Sequence, residues 1–283
     1  GNSNPGPGGS TMMGDKTIMK AIKEAREDKE IEAIVLRVDS GGGSALASDM
    51  MWKEVYNTTV EDTANIKPFI VSMSDVAASG GYYIACEADK ILADESTVTG
   101  SIGVIWARIN FSKLMERIGI NTEIIKMGKN ADFLSSSRLM SNEEREKALG
   151  SINDIYGIFK QRVIDGRENL NDIDELDNIA LGRVWTGLKA KEHGLVDEIG
   201  GLHDAIEIAK KEANLSNNQE IEIIELPEVP EFSFFNLFND DDTSINLTKL
   251  SLIDLFPEEM AQKLEALNIV PVIMNDEIQL IMP

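Results

Sequence analysis

Two glycine-rich corners hold the residues that can do chemistry. One reads Asp39-Ser40-Gly41-Gly42-Gly43-Ser44, the other Ala77-Ala78-Ser79-Gly80-Gly81, and each follows a short apolar run. A serine at a strand-to-helix corner beside glycines is exposed, lies near free helix N-terminal amides and can be approached by a substrate backbone. Serine attack on an amide creates an oxyanion that needs two converging N–H donors, and the corners can supply one each, from Gly42 and Gly80. Taken singly, each corner has a plainer reading: three glycines make a flexible turn, and a serine at a helix entry is an N-cap. Two such corners, each behind a strand, are a more specific signal than either alone.

The elements that must position them follow from hydrophobic spacing. Ile18, Ala21, Ile22 and Ala25 have helical spacing within Asp15 to Lys29, and Ile31 to Val38 is a buried strand ending in the first corner. Ala45 to Asn57 returns to helix, Pro68 to Ser74 is a second buried strand, Ala77 to Ala88 begins a helix at the second corner, and Ile91 to Ala93 is a third strand. Continuous apolar strands alternating with helices predict a mostly parallel α/β sheet covered on both faces, joined by right-handed crossovers. Both corners then lie at the carboxyl edge of that sheet, where open α/β folds place their ligand sites. Ser141 to Glu168 reads as a long helix opened by a Ser141/Glu144 capping box. Residues 182–209 follow as a turn, two helices and a glycine break. After Leu226 the character changes to prolines, four phenylalanines between 232 and 238 and the acidic run Asp240 to Asp242, predicting a linker, a helix near 257–267 and a strand near 277–282.

The 283 residues carry 27 basic and 49 acidic side chains, a net charge of -22 that repels phosphate backbones and argues against a nucleic-acid partner. The single cysteine, Cys86, cannot form an internal disulfide and reads as a small buried residue. No apolar run reaches the roughly 18 to 20 residues that cross a bilayer, so the sequence as it stands reads as soluble and without an address. Residues 1–11 are a flexible loop or cloning remnant. His193 and His203 are the only histidines and adjoin glycine-bounded helices, which predicts surface or cap roles. No metal site and no cofactor are expected, since ligand spacings are missing. Glu143-Glu144 reads as a helix start rather than half of a glycosidase pair. Asp39 is expected to brace the first corner through side-chain to backbone hydrogen bonds.

At this point the residues resemble a known family. IVLRVDSGGGSALASD resembles the stretch in which protease IV (signal peptide peptidase A) proteins run a strand into Asn-Ser-Pro-Gly-Gly-Ser. SDVAASGGYYIACEADKILADESTVTGSIGV resembles their nucleophile segment, and GRVWTGLKAKEHGLVDEIGGLHDAI their later block. The likeness covers about residues 12–210. It implies a crotonase/Clp-like parallel-sheet spiral over residues 12–226 with a small C-terminal appendage at 227–283, Ser79 as nucleophile, Gly80 as one oxyanion donor and Gly42 as the other. It also implies a Ser/Lys serine endopeptidase acting on apolar peptides such as signal peptide remnants, membrane-associated in a full-length bacterial-type protein with its catalytic domain outside the cytoplasm, and assembled as a homo-oligomer or with a partner module.

This chain departs from the family pattern in three places. Gly41 stands where a proline precedes the paired glycines, which loosens the donor loop. Glycine-rich sequence stands where a strand leads into the domain, which suggests a fragment of a longer protein. The general-base lysine of a Gly-x-Tyr-Lys-Asp segment aligns with Ala131 of Gly128-Lys129-Asn130-Ala131-Asp132. Alanine cannot take the serine proton. Three accounts remain open: a carboxyl-terminal half of a tandem member whose other half gives the lysine, an inactivated variant, or a pseudoenzyme or substitute base such as Lys126 or Lys129, whose plainer reading is a solvated lysine. The isolated chain is expected to be inactive or weakly active. Two other functions stand beside the peptidase: a non-catalytic peptide-binding or oligomerising module, and a crotonase-type acyl-CoA hydratase or isomerase, which needs carboxylates where this chain has Ser-Gly-Gly.

Overall fold

The computed structural model describes residues 14–170, 172–216, 219, 221–227 and 278–281. These fall into two compact units, one built from residues 13–104 and 155–241, the other including residues 105–154 and the C-terminal strand.

In the first unit, α1 (Asp15–Glu27) buries Ala21, Ile22 and Ala25, the face its spacing predicts. Strand β1 (Ile34–Ser40) begins three residues later than expected, because its ladder opens with the Ile34 amide on the Pro68 carbonyl and the partner strand starts only after that proline. Helix α2 (Ala45–Tyr56) is capped by Ser44, whose Oγ accepts from the Ala47 amide at 3.3 Å, and runs into a wide π-helical turn, Asn57–Glu61. Strand β2 (Phe69–Ala78) is the centre of the sheet and runs four residues past the expected end at Ser74. Its first half pairs in parallel with β3 (Lys90–Ala93) through Ile70 to Ser72, and its last three residues, Val76 to Ala78, pair with β4 (Val98–Gly100). The opposite edge of β2 carries β1, also parallel.

The short helix α3 (Gly80–Ala85) follows β2 directly; the expected helix over Ala77 to Ala88 shrinks to it because Ala77 and Ala78 stay in the ladder with β4. In the second unit, β5 (Trp106–Ile109) leads into α4 (Ser112–Arg117). Helix α5 (Asn142–Gly166) starts at the predicted capping box: the Glu144 amide donates to Ser141 Oγ at 3.2 Å and the Ser141 amide to Glu144 Oε2 at 2.8 Å. The chain returns to the sheet through α6 (Ile173–Ile179), β6 (Val184–Thr186), α7 (Gly187–Glu192), β7 (Glu198–Ile199) and α8 (Leu202–Glu212). β6 joins β4 antiparallel and β7 joins β3 parallel, giving a six-stranded sheet with one antiparallel edge, while β8 (Ile278–Ile281) pairs antiparallel with β5. The fold is therefore mixed α/β with a largely parallel sheet. The expected helix near 257–267 and the phenylalanines at 232–238 lie outside the described residues.

One core fills the space between the sheet and α2, α3 and α5, with Trp52, Val55, Phe69, Val71, Met73, Tyr82, Ile84, Ile91, Phe159 and Val163 almost wholly buried. Cys86 lies inside it, as its composition suggested, and burial pushes its thiol far above the ordinary range. Beside it Glu87 is 8% exposed and accepts from Trp52 Nε1 at 3.2 Å. Burial raises its carboxyl to about 7 from an ordinary 4.5. An acid whose folded value is raised stabilises the fold when protonated, so stability is gained as pH falls through 7 and the gain is complete below 4.5. Glu87→Gln should therefore exceed the wild type by roughly 1–2 kcal/mol above pH 7.5 and match it near pH 4.5. Urea denaturation of both proteins across that range checks this, and a difference that does not vary with pH would refute it.

Candidate active site

The end of β1 and the start of α3 meet at the sheet edge. Between Val38 and Ser40 the β1 ladder slips register, so that Ser40 pairs with Ala77 and the glycine corner swings over the end of β2. Ser40 Oγ accepts from the Gly42 amide at 3.2 Å and steadies the turn. Asp39, expected to brace its own corner, instead accepts from the Val76 amide at 3.4 Å and ties β1 to β2, because the register slip turns its side chain toward the neighbouring strand.

Gly42 sits at φ 98°, and a Cβ there would fall 2.6 Å from the Gly80 nitrogen and 2.8 Å from Ser79 Cβ. Only glycine meets both demands. The same closeness recurs from the other side, where a Cβ on Gly80 would lie 2.5 Å from Ser48 Oγ, and one on Gly81 2.5 Å from the Ser40 carbonyl oxygen. The two corners are thus packed backbone against backbone, with the buried Ser48 of α2 underneath, its hydroxyl donating to the Ser44 carbonyl at 3.0 Å. Ser48 was not singled out from sequence; a serine on a helix face gives no signal until the glycine pressed on it is known.

Ser79 stands at φ 52°, ψ −119°, a setting that costs a non-glycine residue about 1–3 kcal/mol and persists only where its surroundings hold it. Its amide donates to the Gly100 carbonyl at 2.8 Å and its carbonyl accepts from the Tyr83 amide at 2.8 Å. The side chain does not cap α3, which answers the plainer reading of a helix-entry serine. Ser79 is half-buried, and the Gly80 amide belongs to the first turn of a helix, where N–H groups have no partner within the helix.

The other sequence candidates lie in the second unit. Ala131 is exposed in the turn that follows Gly128. Lys129 is exposed and ion-paired with Glu143, and Lys126 reaches Asp132 Oδ1 at 2.6 Å. Arg138 joins Asp132 and Glu144, and its hydrogen bonds hold both carboxyls below their usual range. Both lysines are thus paired with carboxylates, the ordinary solvated arrangement. In the first unit His193 closes α7 and meets Trp185 edge-on at 4.5 Å, a packing role. Among the described residues no group of His, Cys, Asp and Glu is arranged to hold a metal ion, and no helix is long and apolar enough to cross a membrane.

Residues 61–216, which include Ser79 and Ala131, match the model of peptidase family S49. The chain is 44% identical over 217 residues to the chloroplastic serine protease SPPA of Arabidopsis thaliana, covering 76% of this chain and 31% of that protein. It is 35% identical over 209 residues to protease 4 of Haemophilus influenzae and 38% identical over 203 residues to protease 4 of Salmonella typhi, covering 71% and 72% of this chain and 32% of each relative. The chain therefore spans about a third of the length of these relatives. The matched stretch contains the strained serine corner at the end of the α/β sheet. The chain belongs to peptidase family S49.

Proposed function

We propose that this chain is the nucleophile-bearing module of a serine endopeptidase of the protease IV type, built on a crotonase/Clp-like spiral. Ser79 Oγ attacks the scissile carbonyl carbon, the amides of Gly80 and Gly42 hold the resulting oxyanion, and collapse expels the amine to leave an acyl-enzyme that water hydrolyses. The observation that carries this reading is the strained Ser79 backbone, its side chain unused as a cap, pressed against Gly42. Gly42 at present donates to the neutral Ser40 hydroxyl at 3.2 Å. An oxyanion makes a hydrogen bond about twice as strong and takes that amide over.

The lysine that removes the serine proton is absent at Ala131 and comes from a partner module. The substrates are apolar peptides such as signal peptide remnants near a membrane, and the intact protein is membrane-associated and oligomeric, with this module outside the cytoplasm. Ala131 also favours a second reading, a module that binds peptides without turnover. The acyl-CoA reading is set aside, because the family is one of peptidases.

A fluorophosphonate probe tests the assignment. Ser79 in the intact protein should label and cleave an apolar peptide, and Ser79→Ala should lower cleavage by at least about a thousandfold. In the isolated chain the rate should be low and Ala131→Lys should raise it. Cleavage that survives Ser79→Ala identifies another nucleophile, and an intact protein that neither labels nor cleaves decides for the binding module.

A further inference from the structure

The Ser79 corner is gripped by a chain of side chains that peptide hydrolysis does not itself use. Tyr83, one turn along α3, supplies the amide that donates to the Ser79 carbonyl at 2.8 Å, so the placement of Tyr83 and the backbone setting of Ser79 are linked. Its ring stacks on Phe159 of α5 with centroids 4.5 Å apart. Its hydroxyl donates to Asp49 Oδ1 on α2 at 2.8 Å. Asp49 faces Arg162 Nε of α5 at 3.5 Å, and the Arg162 guanidinium lies 3.6 Å above the Trp52 ring. Burial, followed by the bond to Asp49, pushes the phenol above its ordinary value and keeps it a neutral donor.

Packing alone does not call for this hydroxyl, since phenylalanine would fill the same space against Phe159. A six-residue helix is too short to be rigid by itself, and a serine at positive φ relaxes unless held. We propose that Asp49 is a positioning residue for the peptidase reaction, fixing through the Tyr83 hydroxyl the first turn of α3 and with it Ser79 and the Gly80 amide. The proposal rests on Ser79 being the nucleophile. A displacement of about 1 Å at such a group is enough to cost a hundredfold in rate, so a modest loosening has a measurable effect.

The test compares Tyr83→Phe, Asp49→Ala, Asp49→Asn and the wild type in the intact protein. Its readouts are kcat and KM on an apolar peptide, fluorophosphonate labelling, melting temperature, and amide exchange over residues 79–86. Tyr83→Phe and Asp49→Ala should lower kcat and labelling about tenfold, with KM within about twofold and faster exchange over 79–86. Asp49→Asn keeps an acceptor for the phenol and should recover most of the loss. Wild-type labelling with unchanged kcat and exchange in Tyr83→Phe and Asp49→Ala overturns the proposal and leaves the nucleophile standing. Losses that follow melting temperature alone, with Asp49→Asn as damaging as Asp49→Ala, also overturn it and reduce Asp49 to a prop of the fold. A wild type that does not label at Ser79 overturns the nucleophile assignment and this proposal with it.

Discussion

Gly42→Ala is expected to slow fluorophosphonate labelling of Ser79 by about a hundredfold, the lower end of what loss of one oxyanion donor costs. The added methyl meets two obstacles at once. It would stand 2.6 Å from the Gly80 nitrogen and 2.8 Å from Ser79 Cβ, and the residue bearing it would have to hold φ 98°. The corner must then move away from α3, carrying the Gly42 amide with it. The matching control is Gly43→Ala, where a Cβ meets nothing within 4 Å. Its labelling should stay within about twofold of the wild type, because an unhindered surface glycine contributes only to chain entropy. Equal rates for Gly42→Ala and Gly43→Ala would mean that the two corners do not act as one site.

The largest effect on stability is expected at Asp197. Arg167 and Asp197 form an ion pair with side chains 4% and 12% exposed. Asp197 also accepts from the Ile91 amide at 2.7 Å, and Arg167 Nη1 donates to the Ala88 carbonyl at 3.1 Å. The pair thereby joins the exit of α5 to the start of β3 and the approach to β7. Removing one member leaves the other charge buried without its partner, at about 3–5 kcal/mol, a large part of the 5–15 kcal/mol by which domains are stable. Asp197→Ala should shift urea unfolding by that amount, and Arg167→Met combined with Asp197→Leu should recover part of it. A single-variant shift below about 1 kcal/mol would mean that water reaches the pair and screens it.

The positions that could be read in advance were those with local signals. A capping box marks the start of α5, helical spacing marks the buried face of α1, and runs of branched apolar residues mark the bodies of β1 and β2. The continuation of β2 through Ala78 was hidden, since Asp75 to Ala78 carries no strand pattern and alanines favour helix; the ladder with β4 overrides that preference. Strands β4 and β6 have three residues each, too few for a period to register. The Tyr83–Asp49–Arg162 contacts join residues far apart in the chain, and no spacing rule brings such partners together. Ala131 was noticed only through family resemblance, because an exposed alanine in a turn has no physical signature of its own.

The division of β2 between two neighbours has a consequence for biosynthesis. Ser79 is set by the Gly100 carbonyl, Gly100 pairs with Val184 of β6, and Tyr83 of α3 stacks on Phe159 of α5. Contacts of such long sequence separation are slow to form. A nascent chain that has passed Ser79 but not yet reached residues 184–186 lacks the pairings that hold the serine in its strained setting. On the proposed reading of Ser79 as nucleophile, its backbone setting is complete only once residues 184–186 have joined the sheet.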